Sequence, residues 1–146
     1  MPSLPEIKRI LYATDLGDNV RPVFKFALSM ARNYDAHIIM LHVVEPMSPA
    51  IQAVVETYLT DMDAKKVQQD GMKSVLTTMK KRLETACSEE LNTHNFSSSR
   101  VKEMLVVSGK TSEEILKAAQ KHNADVIVMG KSRRVVLGSD VAGSAA

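Results

Sequence analysis

A chain of 146 residues is long enough to bury a core of its own, since proteins of roughly 150 residues hide about 70% of their unfolded surface. At 45% hydrophobic and 25% charged the composition is that of a globular protein, and a formal charge of +2 is too small and too scattered to argue for a nucleic-acid partner. The lone cysteine, Cys87, excludes an internal disulfide framework and fits a reducing compartment, and no apolar run reaches the ~18 residues of a membrane span, so a cytoplasmic protein without a membrane partner is expected.

In chain order, the first apolar run is Ile7 to Ala13, ending in Ile10-Leu11-Tyr12-Ala13 and followed by the turn-rich Thr14-Asp15-Leu16-Gly17-Asp18-Asn19. It reads as a strand with a trailing loop. Val20, Val23, Phe24, Ala27, Leu28 and Ala31 then recur on one face of a helix, with Pro22 suited to the first turn. A second buried strand follows at Ile38 to Val44. Strand, helix and strand within about 40 residues predict a βαβ unit with parallel, adjacent strands.

From Pro46 to about Asn92 the pattern is helical, with Met72, Val75, Leu76, Met79, Leu83, Ala86 and Cys87 on one face and Gly71 expected to mark a break between two pieces. Met104 to Val107 forms the third strand. Thr111, with Glu114 three residues on, spells a capping box for the helix carrying Ile115, Leu116, Ala118 and Ala119. Asp125 to Met129 is the fourth strand, ended by Gly130. In the last stretch, Arg134 to Ala146, a helix is expected to begin. The alternation β-α-β-α-β-α-β predicts an α/β fold: a single-domain, Rossmann-like open parallel sheet with helices on both faces.

Sheets of this kind take ligands at the carboxyl ends of their strands, where strand order reverses. A central first strand would place Asp15 and the loop after Gly130 on either side of one crevice. The carboxylate of Asp15 suits ribose hydroxyls or a cation. Glycines at 130 and 143 permit close approach of backbone N–H groups to phosphate, Ser144 adds a hydroxyl, and Lys131, Arg133 and Arg134 add positive charge.

Ile10-Leu11-Tyr12-Ala13-Thr14-Asp15, Leu41-His42-Val43-Val44 and Ala124-Asp125-Val126-Ile127-Val128-Met129-Gly130 together resemble the first, second and fourth strands of universal stress proteins. The resemblance covers essentially the whole chain as one domain, 1–146, of the adenine nucleotide α-hydrolase-like kind. The ATP-binding branch of that family carries Gly, two residues, Gly, nine residues, then Gly followed by Ser or Thr. Gly130 and Gly143-Ser144 match this pattern, whereas the middle glycine is replaced by Arg133. The resemblance implies ATP or another adenine nucleotide, accompanied by Mg2+, held by Ala13, Thr14, Asp15, Val44, Met129, Gly130, Arg133, Gly143 and Ser144. In that set Asp15 would meet the ribose or adenine side, the Val44 backbone the adenine, and Gly130, Gly143 and Ser144 the phosphates. Arg133 would either salt-bridge a phosphate or fill its place.

The family's last helix and fifth strand are not found after Ala146, so the sequence reads as C-terminally incomplete relative to the family, with a homodimer expected for the parent protein. The implied function is a nucleotide-binding regulatory module of a stress response, with an unidentified protein partner. The alternative is a nucleotide-free dimerising interaction module of the same fold, and an ATPase, slow at most, stands third. No Ser-His-Asp arrangement, paired carboxylates or P-loop is present, so no dedicated catalysis is expected.

Plainer readings stand beside these. Asp15 could serve only to bridge loop N–H groups. His42 inside an apolar strand is expected to be a satisfied core histidine, and His37, His94 and His122 lack metal-ligand spacing. Cys87 is expected to be an inert packed thiol. Lys80-Lys81-Arg82 reads as a solvated helical face open to a partner contact.

Overall fold

The computed structural model describes residues 4–16, 20–46, 48–58, 61–130, 133–136 and 139–142. Two buried strands, β1 (Arg9–Ala13) and β2 (His37–Val44), form the centre, joined by helix α1 (Val20–Tyr34). Two helices follow, α2 (Pro49–Tyr58) and α3 (Asp61–Thr93), then β3 (Val101–Ser108), α4 (Thr111–Lys121) and β4 (Val126–Met129). Every pairing in the main sheet is parallel, in the order β3-β2-β1-β4. The chain therefore runs outward from β1 through β2 to β3 and then crosses back to the other side of β1. The reversal of direction lies between β1 and β4, as the central placement of the first strand requires.

Helices cover both faces of this sheet. On one, Ile10, Tyr12, Ile38 and Met40 pack against Phe24, Ala27, Leu28 and Ala31 of α1 and Leu83, Cys87 and Leu91 of α3. On the other, Leu11, Ala13, Ile39 and Leu41 pack against Ile115 and Ala118 of α4. Successive strand residues point to opposite faces, so a strand buried on both sides must be largely apolar, as β1 is from Ile10 to Ala13 and β2 from Ile38 to Leu41. Fully burying one such side chain stabilises by about 1.5–3 kcal/mol. Arg100 closes the turn between α1 and β2, with Nη1 donating to the carbonyls of Ala31 and Ala36 and lying 2.8 Å from Asp35 Oδ1.

Three local expectations are corrected. Gly71 lies inside the continuous helix α3; the division into two helices falls before Asp61. A glycine costs only about 1 kcal/mol in a helix interior, which the rest of α3 overrides. The capping box does not form: Thr111 sits inside α4, its hydroxyl donates to Glu45 Oε1 at 2.8 Å, and the N-cap is Lys110, which makes no side-chain cap bond. Glu114 instead turns its carboxyl toward Gly109, where a Cβ would meet Glu114 Cγ at 2.7 Å, and pairs with Lys117 at 3.2 Å. Finally, in the stretch where a helix is expected to begin, β5 (Arg133–Val136) and β6 (Ser139–Ala142) pair as antiparallel strands, while Gly143 to Ala146 lie outside the described residues. The β-branched Val135, Val136 and Val141 favour strand over helix there. Along the apolar face expected for α3, burial deepens toward its C-terminal end, from Val75 at 39% exposure to the fully buried Leu83.

Candidate functional site

The carboxyl ends of β1 and β4 stand side by side, with Ala13 in register with Met129. Ala13 and Thr14 are buried, Asp15 is exposed, and Met129 and Gly130 are half-buried. Five of the nine predicted site residues, Ala13, Thr14, Asp15, Met129 and Gly130, thus collect at the point where strand order reverses.

Three hydrogen bonds among the described residues help to fix the loop after β1. Thr14 N–H continues the sheet by donating to the Leu41 carbonyl at 2.9 Å. Thr14 Oγ1 accepts from Leu16 N–H at 3.0 Å, a local turn that holds Leu16 at a positive φ of 58°. His42 supplies the third: its Nδ1 lies 2.8 Å from the Thr14 carbonyl oxygen. A carbonyl only accepts, so the proton is on Nδ1. His42 is accordingly a satisfied core histidine, as its setting in an apolar strand implies, but one whose partner is the loop that carries Asp15.

Val44, at the end of β2, is half-buried, and its carbonyl accepts from Gly109 N–H at 3.0 Å. One lone pair of that oxygen is thereby used, leaving the other for a further donor. Its neighbour Glu45 accepts from the Thr111 hydroxyl. The ends of β2, β3 and α4 are thus stitched together beside the crevice. Arg133 begins β5, and its register partner is Ala142, the residue that precedes Gly143 in sequence. In a strand the backbone at 133 is extended, so arginine meets no conformational obstacle there. Gly143 and Ser144 lie outside the described residues.

Sequence reasoning missed two polar features next to the site. Tyr12 is buried with its hydroxyl donating to the Val20 carbonyl at 3.1 Å, and burial pushes its phenol above the ordinary range. Glu90, on the covered side of α3, is buried between Arg21 Nε at 3.2 Å and His94 Nε2 at 3.3 Å. A polar residue at a position that helical periodicity assigns to the core was the available signal for Glu90. Among the described residues no group of three or more metal-ligating side chains occurs, and no helix is long and apolar enough to cross a membrane.

The sequence matches the profile of the Universal stress protein family over residues 6–146. The chain belongs to that family. Solved structures agree at the level of fold. Universal stress protein UspA from Lactobacillus plantarum is 20% identical, with a TM-score of 0.55 over 88% of this chain and 80% of that one. The hypothetical protein MJ0577 is 23% identical, with a TM-score of 0.57 over 88% and 77%. Protein Rv1636 from Mycobacterium tuberculosis H37Rv is 18% identical, with a TM-score of 0.56 over 92% and 80%. Comparison with curated proteins gives no match. At these identities the universal stress protein relatives speak for the architecture of the sheet and its helices, and the chemistry of the crevice rests on this chain's own residues.

Proposed function

We propose that this universal stress protein binds an adenine nucleotide, ATP by preference, in the crevice between the ends of β1 and β4, and that occupancy regulates a stress response through contacts with other proteins. The observation that carries this reading is the meeting of Ala13, Thr14 and Asp15 with Met129 and Gly130 at the reversal of strand order. The residues present suit the ligand. The exposed Asp15 offers a carboxylate to ribose hydroxyls, and the Val44 carbonyl retains a lone pair for an adenine amino group.

The β5–β6 register supports the phosphate half of the reading. It sets Arg133, three residues after Gly130, opposite Ala142, the residue that precedes Gly143-Ser144 in sequence. Arg133 then serves as a phosphate ligand in place of the family's glycine. Mg2+ would be carried by the phosphates, since such ions are commonly held by few protein ligands. A cytoplasmic homodimer completes the proposal, supported by β4 standing at a sheet edge with Ile127 37% exposed.

The test is calorimetric titration of ATP with magnesium into the protein and into Asp15→Ala and Arg133→Ala. Each change is expected to weaken binding by about tenfold or more, the loss of one charged hydrogen bond, with unchanged unfolding midpoints. Wild-type affinity in Asp15→Ala removes that residue from the site. A protein that carries no nucleotide on purification and ignores millimolar ATP refutes the reading in favour of the nucleotide-free interaction module.

A further inference from the structure

We propose that a second ligand site lies between α1 and α3, outside the β1/β4 crevice, and that it takes a small phosphate monoester with a hydroxylated body, of hexose phosphate size. A groove of about 520 Å³ opens there, within the range of roughly 300–1,000 Å³ usual for small-molecule sites.

One end of the groove is built for an anion. Thr78, Lys81, Arg82 and Thr85 line it from α3 at i, i+3, i+4 and i+7, so they share one helical face with neighbouring Cβ atoms about 5–6 Å apart. Two cations and two hydroxyls thus converge over two turns, the spacing that lets several donors reach the oxygens of one phosphate. Among the described residues no carboxylate neutralises these two cations. Lys80, the neighbour outside the groove, is engaged with the Met104 carbonyl. Among the described residues Lys81 makes no ion pair, and Arg82 Nη1 has only the Met79 sulfur at 3.9 Å.

The other end is built for hydroxyls and against a second anion. Arg21 is committed to Glu90 at 3.2 Å and to Glu89 at 3.6 Å. Those two carboxylates keep lone pairs that hydroxyl groups can donate to. Glu90 is held from behind by His94, which fixes this wall. Leu16, Val20 and Ala86 add apolar lining. A ligand with one dianionic head and a neutral polyhydroxyl body satisfies all three parts. A triphosphate would carry charge into Glu89 and Glu90, which makes the groove a poor nucleotide site.

The test uses the whole chain with glucose 6-phosphate as probe, glucose and inorganic phosphate as controls, and titration followed by backbone amide NMR. Glucose 6-phosphate is expected to bind in the millimolar range or tighter and to shift the amide signals of Leu16, Val20 and Ala86, with inorganic phosphate weaker and glucose inert. The double variant Lys81→Ala/Arg82→Ala, whose side chains are exposed and whose fold is checked by its unfolding midpoint, should bind at least about tenfold more weakly. Saturating ATP should leave the probe in place. Absence of binding at millimolar probe overturns the proposal, as do equal affinity in the double variant and displacement of the probe by ATP. The groove stands or falls independently of the nucleotide crevice, because probe binding and its weakening in the double variant are both read without ATP.

Discussion

Replacing His42 by leucine tests how the aspartate-bearing loop is held. The change keeps an apolar side chain in the β2 core but removes the donor that stands 2.8 Å from the Thr14 carbonyl. Both residues are at least nine-tenths buried, His42 at 9% exposure and Thr14 at 8%, so water cannot readily replace the lost partner. Leaving a buried carbonyl without its donor costs about 1–3 kcal/mol. Urea unfolding followed by circular dichroism should show a lower midpoint at unchanged slope, and thermal melting should fall by about 2–4 °C for each kcal/mol in a chain of this size. The loop gives a second readout. Leu16 N–H is bonded to Thr14 Oγ1, and its hydrogen exchange should accelerate in His42→Leu while remaining slower in His42→Asn, whose Nδ2 takes the place of Nδ1. A stability within about 0.5 kcal/mol of wild type, together with unchanged exchange at Leu16, would refute the idea that the imidazole anchors this loop.

Two further predictions concern titratable groups. Burial pushes the Cys87 thiol up to about 11, so at pH 8 only about one sulfur in a thousand is a thiolate; a thiol reagent should modify it on the order of a hundredfold more slowly in the folded protein than in urea, and comparable rates would show the site to be open. Asp125 Oδ2 accepts from the amides of Lys8 at 2.8 Å and Arg9 at 3.0 Å, which hold its carboxyl below the usual range. A group depressed on folding stabilises fully above its unfolded value and loses that contribution as pH falls through the folded one. The stability gap between wild type and Asp125→Asn should therefore be constant near neutrality and close as pH drops below about 4; a gap independent of pH would assign the contact's worth to geometry and not to charge.

The sheet was readable because its signals are local and repeated. Ile10 to Ala13 and Ile38 to Leu41 are continuous apolar runs bounded by turns, and α1 carries its buried Phe24, Ala27, Leu28 and Ala31 at helical spacing. The misread features depend on partners distant in sequence. Thr111 fits a capping box by spacing, yet Glu45 competes for its hydroxyl. Asp125 reads as the first residue of a strand, yet its carboxylate ties β4 to the start of β1. Gly71 looks like a helix breaker, yet α3 continues on either side of it, since one glycine costs a helix only about 1 kcal/mol. At the crevice, Asp15 and Gly130 were identifiable from their positions after strands. The His42–Thr14 bond was not, since nothing in β2 alone says which neighbouring loop a buried imidazole will face. The groove between α1 and α3 was equally hidden: Lys81 and Arg82 read as a solvated face until the fold sets Leu16 and Arg21 across from them.

The strand order also sets a timetable for the chain as it is made. β1 can pair with β2 as soon as both exist, but its other edge waits for β4, roughly 85 residues after Val44. At about 5–20 residues per second this is an interval of roughly 4–17 s. Throughout it, the growing polypeptide presents the bare hydrogen-bonding edge of a strand that the finished fold buries on both faces, which invites pairing with another nascent copy. The crevice between β1 and β4 is consequently the last part of the sheet to come into being, and folding errors made during translation should fall first on this corner of the molecule.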